Sequence, residues 1–254
     1  MNGMDSFTRL GRHPAFRTGA SVAVATGLYG ISFGALGVAA GLDVWQTIAL
    51  SALMFTGGSQ FAFVGVLAGG GGGAAATGAA SLLGVRNAVY GVQLNAMMRP
   101  GPALKPLAAH VTIDESAATS MAQPDPHGRR IGFWTAGVGV WLTWVAFTVL
   151  GAVAGDLMGD PKAWGLDGAA AAAMLGLLWP RLKTGDAWAL AAVTALVTTI
   201  ALPALPSGIP ILVAGAVAGL WGWFGAPARR GRGPRGGQPG PARTERTGTR
   251  ESTA

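Results

Sequence analysis

The chain has 254 residues, of which 50% are apolar and only 11% charged, with a mean hydropathy of +0.43 and a net charge of +7. That balance argues against a water-soluble domain and for a membrane protein, because the few charges cluster in gaps between long uncharged runs. The lack of cysteine excludes a disulfide framework or a thiolate metal site, and His13, His110 and His127 lie outside the apolar runs without zinc-like spacing, so neither metal nor other cofactor is expected.

Seven apolar spans follow one another: Ala20 to Ala40, Trp45 to Ala68, Ala74 to Met97, Phe133 to Ala154, Leu166 to Trp179, Ala187 to Leu202 and Ile209 to Phe224. About 20 apolar residues cross a bilayer as a helix, so the predicted fold class is all-α, a polytopic integral membrane protein of about seven helices. An N-terminal segment (1–18), a transmembrane domain (19–225) and a basic tail (226–254) organise the chain. Arg9, Arg12 and Arg17 before the first span have the look of a secretory leader. The span is too long for one, and apolar spans continue after it, so it is read as a retained helix.

The second span carries Thr56, Gly57, Gly58, Ser59 and Gln60 at its centre. Adjacent glycines weaken a helix and admit another backbone or a ligand, while the hydroxyl and amide offer donors and acceptors at mid-depth, the pattern of a transport site. A small-residue packing face between helices is the alternative. Gly69 to Gly73 then forms a turn. No Lys followed by Ser or Thr follows it, which excludes a phosphate loop.

Arg86 lies in the middle of the third span, where an unpaired guanidinium is costly. It suits a carboxylate ligand, which a guanidinium fork binds bidentately, and equally an internal ion pair with Asp114, Glu115 or Asp167. Asp114 and Glu115 stand in the only long loop, where they suit a gate, a proton site or simple solvation. In the fourth span Trp141 and Trp144 fall inside rather than at an interface, which points to core or to a cavity lining for an apolar ligand. Asp156, Asp160, Pro161 and Asp167 surround the next connection, and Asp167 is a candidate for coupling or gating with Asp114 and Glu115 as well as for a helix N-cap. The fifth span is short for a crossing and reads as a half-helix, a tilted segment or a longer element.

From about Ala226 onward Gly, Pro and Arg predominate with no apolar period, as expected of a disordered tail that meets anionic lipid. No aromatic residue is interleaved with its arginines, so nucleic acid is not expected. With seven crossings and the N-terminus outside, Arg99, Lys105, Arg129, Arg130, Arg181, Lys183 and the tail arginines are cytoplasmic, as basic loops prefer. If the fifth span does not cross, the N-terminal arginines join them. The first and fourth spans are both glycine-rich, which admits an inverted repeat.

Taken in order, Gly30 to Gly34, the segment Phe55-Thr56-Gly57-Gly58-Ser59-Gln60-Phe61, Arg86 with Asn87 and Tyr90-Gly91, Asp114-Glu115, and Asp160-Pro161 leading to Asp167 resemble the AzlC family, the large subunit of branched-chain amino acid exporters. The resemblance runs from about Phe16 to Phe224. It implies a permease of the bacterial cytoplasmic membrane that exports valine, leucine and isoleucine, with methionine a further candidate. Coupling to the proton motive force and a small AzlD-type membrane partner are also implied. Where the family typically has Asn-x-Arg-His before Leu-Tyr-Gly, this chain has Gly84 and Asn87, so any proton-carrying role of that imidazole must fall elsewhere, with Asp114 and Glu115 the candidates. On this reading Arg86 holds the substrate carboxylate, Gly57 to Gln60 make backbone and amide contacts, and Phe61 or Trp144 faces the aliphatic side chain. A channel or structural membrane subunit with another cargo is the rival. A membrane-embedded enzyme is disfavoured, because Arg86 alone is charged well inside the spans.

Overall fold

A computed structural model describes residues 11–159, 175–176, 178–206 and 209–225. The larger part of the expected fifth span, Asp160, Asp167 and the basic tail lie outside the described residues. All regular structure among the described residues is helical.

Helix α1 (Pro14–Gly27) starts at a proline in its first turn, and His13 Nδ1 caps it by accepting from the Ala15 N–H at 3.2 Å. Leu28 keeps helical dihedrals, so α2 (Tyr29–Ala39) follows directly on α1, and Pro14–Ala39 together give 26 residues with a mean hydropathy of 1.7. Gly41, at φ +91°, closes α2: its N–H reaches the Val38 carbonyl and that of Leu42 the Gly37 carbonyl. This is a Schellman turn, which needs a residue tolerant of positive φ.

The second apolar run is not one helix. It forms α3 (Val44–Leu53) and α4 (Gly58–Ala68), separated at the polar cluster. Asp43 and Gln46 start α3 with reciprocal side-chain bonds to each other's backbone N–H at 2.8 and 3.0 Å. α3 packs on α8 whereas α4 packs on α5, so the two pieces diverge to different neighbours.

Helix α5 (Gly73–Met98) is a continuous 26 residues. Arg99 ends it in the left-handed conformation, φ 47°, and Arg130 Nη2 donates to the freed Met98 carbonyl at 3.2 Å. The expected long loop is itself helical, with α6 (Lys105–His110) and α7 (Asp114–Met121), both too short to span. Ser116 holds their junction: its hydroxyl accepts from the Ile113 N–H at 3.0 Å and donates to the Val111 carbonyl at 2.8 Å. Asp114 and Glu115 in the first turn of α7 suit the positive end of its dipole.

Helix α8 (Pro126–Leu157), 32 residues long with a mean hydropathy of 1.8, is the spine against which α1, α2, α3 and α7 pack. Its contact with α2 is made by two Gly-x-x-x-Gly faces, Gly30 with Gly34 and Gly151 with Gly155. A Cβ on Gly30 would lie 2.5 Å from the Trp144 carbonyl, and one on Gly151 would overlap the Ile31 carbonyl. In lipid, where apolar burial does not separate helix from tail, such close backbone approach is what holds helices together. The two glycine-rich helices singled out as possible repeat starts therefore pack on one another.

Helices α9 (Gly185–Ala201) and α10 (Ile209–Gly225) pair with each other, and α10 also touches α5. The main core gathers Phe33, Leu36, Phe55, Phe61, Val64, Val140 and Trp144 between α2, α4 and α8. A second cluster around Leu94, Val111 and Phe133 joins α5, α6 and α8. Outward-facing residues are strongly apolar: Trp45, Leu53, Val92 and Leu157 are each at least three-quarters exposed. Contiguous apolar surface of this kind is suited to lipid rather than to water.

Candidate functional site

The break between α3 and α4 exposes the backbone groups that a continuous helix would pair internally, and at membrane depth each needs a partner. Three of the last four α3 carbonyls have partners. Gln60 Nε2 donates to the Leu50 and Ser51 carbonyls at 3.1 and 3.3 Å, and Trp141 Nε1 donates to that of Ala52 at 3.1 Å. Thr56 turns its hydroxyl back to the Met54 carbonyl at 3.2 Å.

The amide end is open. Gly57, at φ +66° and ψ −108°, precedes α4 without a side chain to cap its first N–H groups. Arg86 comes from α5 to stand beside this end, with Nη2 3.4 Å from the Thr56 carbonyl. A Cβ on Gly58 would be 3.2 Å from the same Nη2, so the missing side chain leaves room for the guanidinium. Ser59 is buried close by against Gly84, and its hydroxyl finds no hydrogen-bond partner among the described residues. The same holds for Asn87 Oδ1 and Arg86 Nε. A helix N-terminus, a guanidinium and an unfilled hydroxyl converge, an arrangement whose charge favours an anion.

Of the three carboxylates that the sequence offers to Arg86, Asp114 takes it, Oδ2 to Nη1 at 3.1 Å. The same Oδ2 also receives Arg181 Nη2 at 3.1 Å. Arg181, which ends a short 3-10 turn before α9, was expected only to orient the chain in the membrane. No sequence signal marks it, because its partner lies 67 residues away. Tyr90, one helical turn beyond Arg86, faces the Asp114 carboxylate. Glu115 is in neither ion pair, and burial pushes its carboxyl above the usual glutamate range.

A cavity of about 1130 Å³ opens between α2 and α4 on one side and α9 and α10 on the other. Leu36, Phe61, Ala62, Leu190 and Ile211 make its wall apolar, Thr194 and Thr198 add hydroxyls, and Arg181 lies on its lining. Phe61 lies on that wall. Trp144 is not on the cavity lining: it packs behind Phe61 with ring centres 5.9 Å apart, Phe33 completing the trio. Gln60 is fully buried with its amide nitrogen committed to α3, so it holds the break together rather than facing the cavity. Asp167 is outside the described residues.

A broken apolar helix with a charged residue at the break, packed among glycine-faced helices, defines a helical membrane protein. A family model described as AzlC protein matches residues 21–158, more than half of the chain, and the protein belongs to the AzlC family. That family is associated with the transport of branched-chain amino acids. The match covers α3, α4, Arg86, Asp114 and Glu115 but not Arg181 or helices α9 and α10. No curated protein and no solved structure matches the chain.

Proposed function

We propose that this protein is a multi-pass permease of the cytoplasmic membrane that exports valine, leucine and isoleucine, with methionine a further candidate, driven by the proton motive force and working with a small AzlD-type subunit. The observation that carries the reading is the asymmetry of the helix break: its carbonyl end is bonded by the Gln60 and Trp141 side chains, while its amide end has no side-chain cap and faces Arg86. An amino acid carboxylate is the complement of that amide end, with Arg86 as its counter-ion. The adjoining apolar cavity accepts the aliphatic side chain, with Phe61 on its wall. Asp114 and Glu115 are the carboxyl groups for coupling and gating, and the basic tail binds the anionic lipid surface.

The test is efflux of labelled valine, leucine, isoleucine and methionine from preloaded cells, with and without a co-expressed small partner, for wild type and Arg86→Ala at matched membrane abundance. Saturable efflux in wild type that is lost in Arg86→Ala is the expected result. Efflux no faster than in cells lacking the protein, in every pairing, removes the amino acid reading. Flux that never saturates makes the protein a channel.

A further inference from the structure

Among the described residues, two guanidiniums are ion-paired to the single carboxylate of Asp114. Arg86 and Arg181 converge on one oxygen, Oδ2, at 3.1 Å each, whereas Oδ1 is buried without a hydrogen-bond partner among the described residues. Glu115 forms no ion pair with either arginine. Two guanidiniums therefore share half of one carboxylate, although each is built to take a two-oxygen fork of its own. Arg181 reaches this point from the cavity lining, and its side chain is 63% exposed, against 28% for Arg86. The inner arginine is fixed between Thr56 and Asp114, and the outer one is accessible from the apolar chamber.

We propose that Arg86 and Arg181 together form the ligand's carboxylate site, and that Asp114, which they now share, is displaced by the ligand carboxylate and then captures the ligand ammonium. This rests on the amino acid reading above and extends it to Arg181, on which that reading made no demand. The exchange leaves the net charge of the cluster unchanged: the incoming carboxylate takes the two guanidiniums in place of Asp114, and the freed Asp114 receives the ammonium that arrives with it. Asp114 is then the residue that distinguishes an α-amino acid from a plain carboxylic acid of the same shape. Because Arg181 joins the segment before α9 to α5 and α7 through this one oxygen, the exchange also releases that tie when ligand binds.

The test is equilibrium binding to the full chain in lipid nanodiscs, with leucine, 4-methylpentanoate (leucine without its amine) and 4-methylpentanamide (neither charge) as probes. Arg181→Ala is expected to weaken leucine and 4-methylpentanoate by about tenfold or more, with partial recovery in Arg181→Lys. Asp114→Asn removes the competitor, so 4-methylpentanoate binds about threefold tighter or better, while leucine loses its advantage over it. A strut that merely holds the fold predicts the reverse: Asp114→Asn weakens both probes in parallel. That result, or Arg181→Ala binding like wild type, overturns the proposal.

Should Asp114→Asn fail to fold, wild type decides, since the carboxylate must bind at least about tenfold tighter than the amide, and equal binding overturns the site. Amino acid efflux that survives Arg181→Ala sinks this inference and leaves the export reading standing. Arg181-dependent binding of 4-methylpentanoate without efflux of any of the four amino acids does the opposite.

Discussion

The Gln60 side chain reaches back across the helix break to donate to the Leu50 carbonyl at 3.1 Å, and to that of Ser51 at 3.3 Å, so the first turn of α4 caps the last turn of α3. Gln60 is fully buried, so the carbonyls it serves lie away from bulk water. Gln60→Leu is expected to cost about 1–3 kcal/mol, the penalty of stranding a buried acceptor. Gln60→Glu, which cannot donate when ionised and adds charge, is expected to cost more. Thermal denaturation of the detergent-solubilised protein measures both, and a Gln60→Leu melt that matches wild type refutes the capping role.

Gly57 sets the break itself, since φ +66° with ψ −108° lies outside the conformations that other residues adopt without strain. Open space surrounds the position, so Gly57→Ala tests backbone strain without a clash. The expected cost is about 1–3 kcal/mol, read from the same melts. Transport should also suffer, because relaxation of the strain moves the uncapped end of α4 away from Arg86.

Ser51 on α3 and Thr148 on α8 share a fully buried hydroxyl pair at 2.9 Å. Either single change, Ser51→Ala or Thr148→Val, strands the other hydroxyl and should cost about 1–2 kcal/mol. The double variant should recover much of that loss. A double-mutant cycle giving no coupling would contradict a direct bond.

The glycines divide by what stands opposite them. Gly151→Ala drives a methyl into the Ile31 backbone, which cannot yield without moving α2 from α8, and is expected to destabilise by about 3 kcal/mol. At Gly84 a methyl meets only Ser59 Oγ, at 3.7 Å, an ordinary contact. Gly84→Ala is therefore expected to stabilise α5 by about 0.5–1 kcal/mol through helix propensity. Parallel melts of the two variants, moving in opposite directions, are the check.

Burial raises the Glu115 carboxyl, so the folded state retains a proton that the unfolded chain has already released. Stability must fall as pH rises from the ordinary glutamate range through the raised value. Glu115→Gln lacks this titration and is expected to be more stable than wild type above that window, with the difference vanishing below it. Melting temperatures across pH test the sign, and parallel curves for the two proteins exclude it.

Apolar run length by itself determined the helical membrane class, because hydrophobic thickness fixes how many residues a crossing needs, and α8, α9 and α10 begin and end within a few residues of their predicted spans except for the longer start of α8. The weakness at Gly57-Gly58 was legible too, since consecutive glycines without side chains to pack mark where a helix is least secure. The helices within the loop before α8 were not legible, for α6 and α7 are short and gain their stability from packing on other helices rather than from an apolar period of their own. Residue type alone offered Arg86 three carboxylates, and the placement of α7 against α5 and α8 is what brings Asp114 to it, Asp167 lying outside the described residues. The same placement drew in Arg181, turned Gln60 inward as a cap and set Trp144 behind Phe61. Ion pairs and cavity walls are long-range relations, decided by how helices pack and not by the local periodicity a sequence displays.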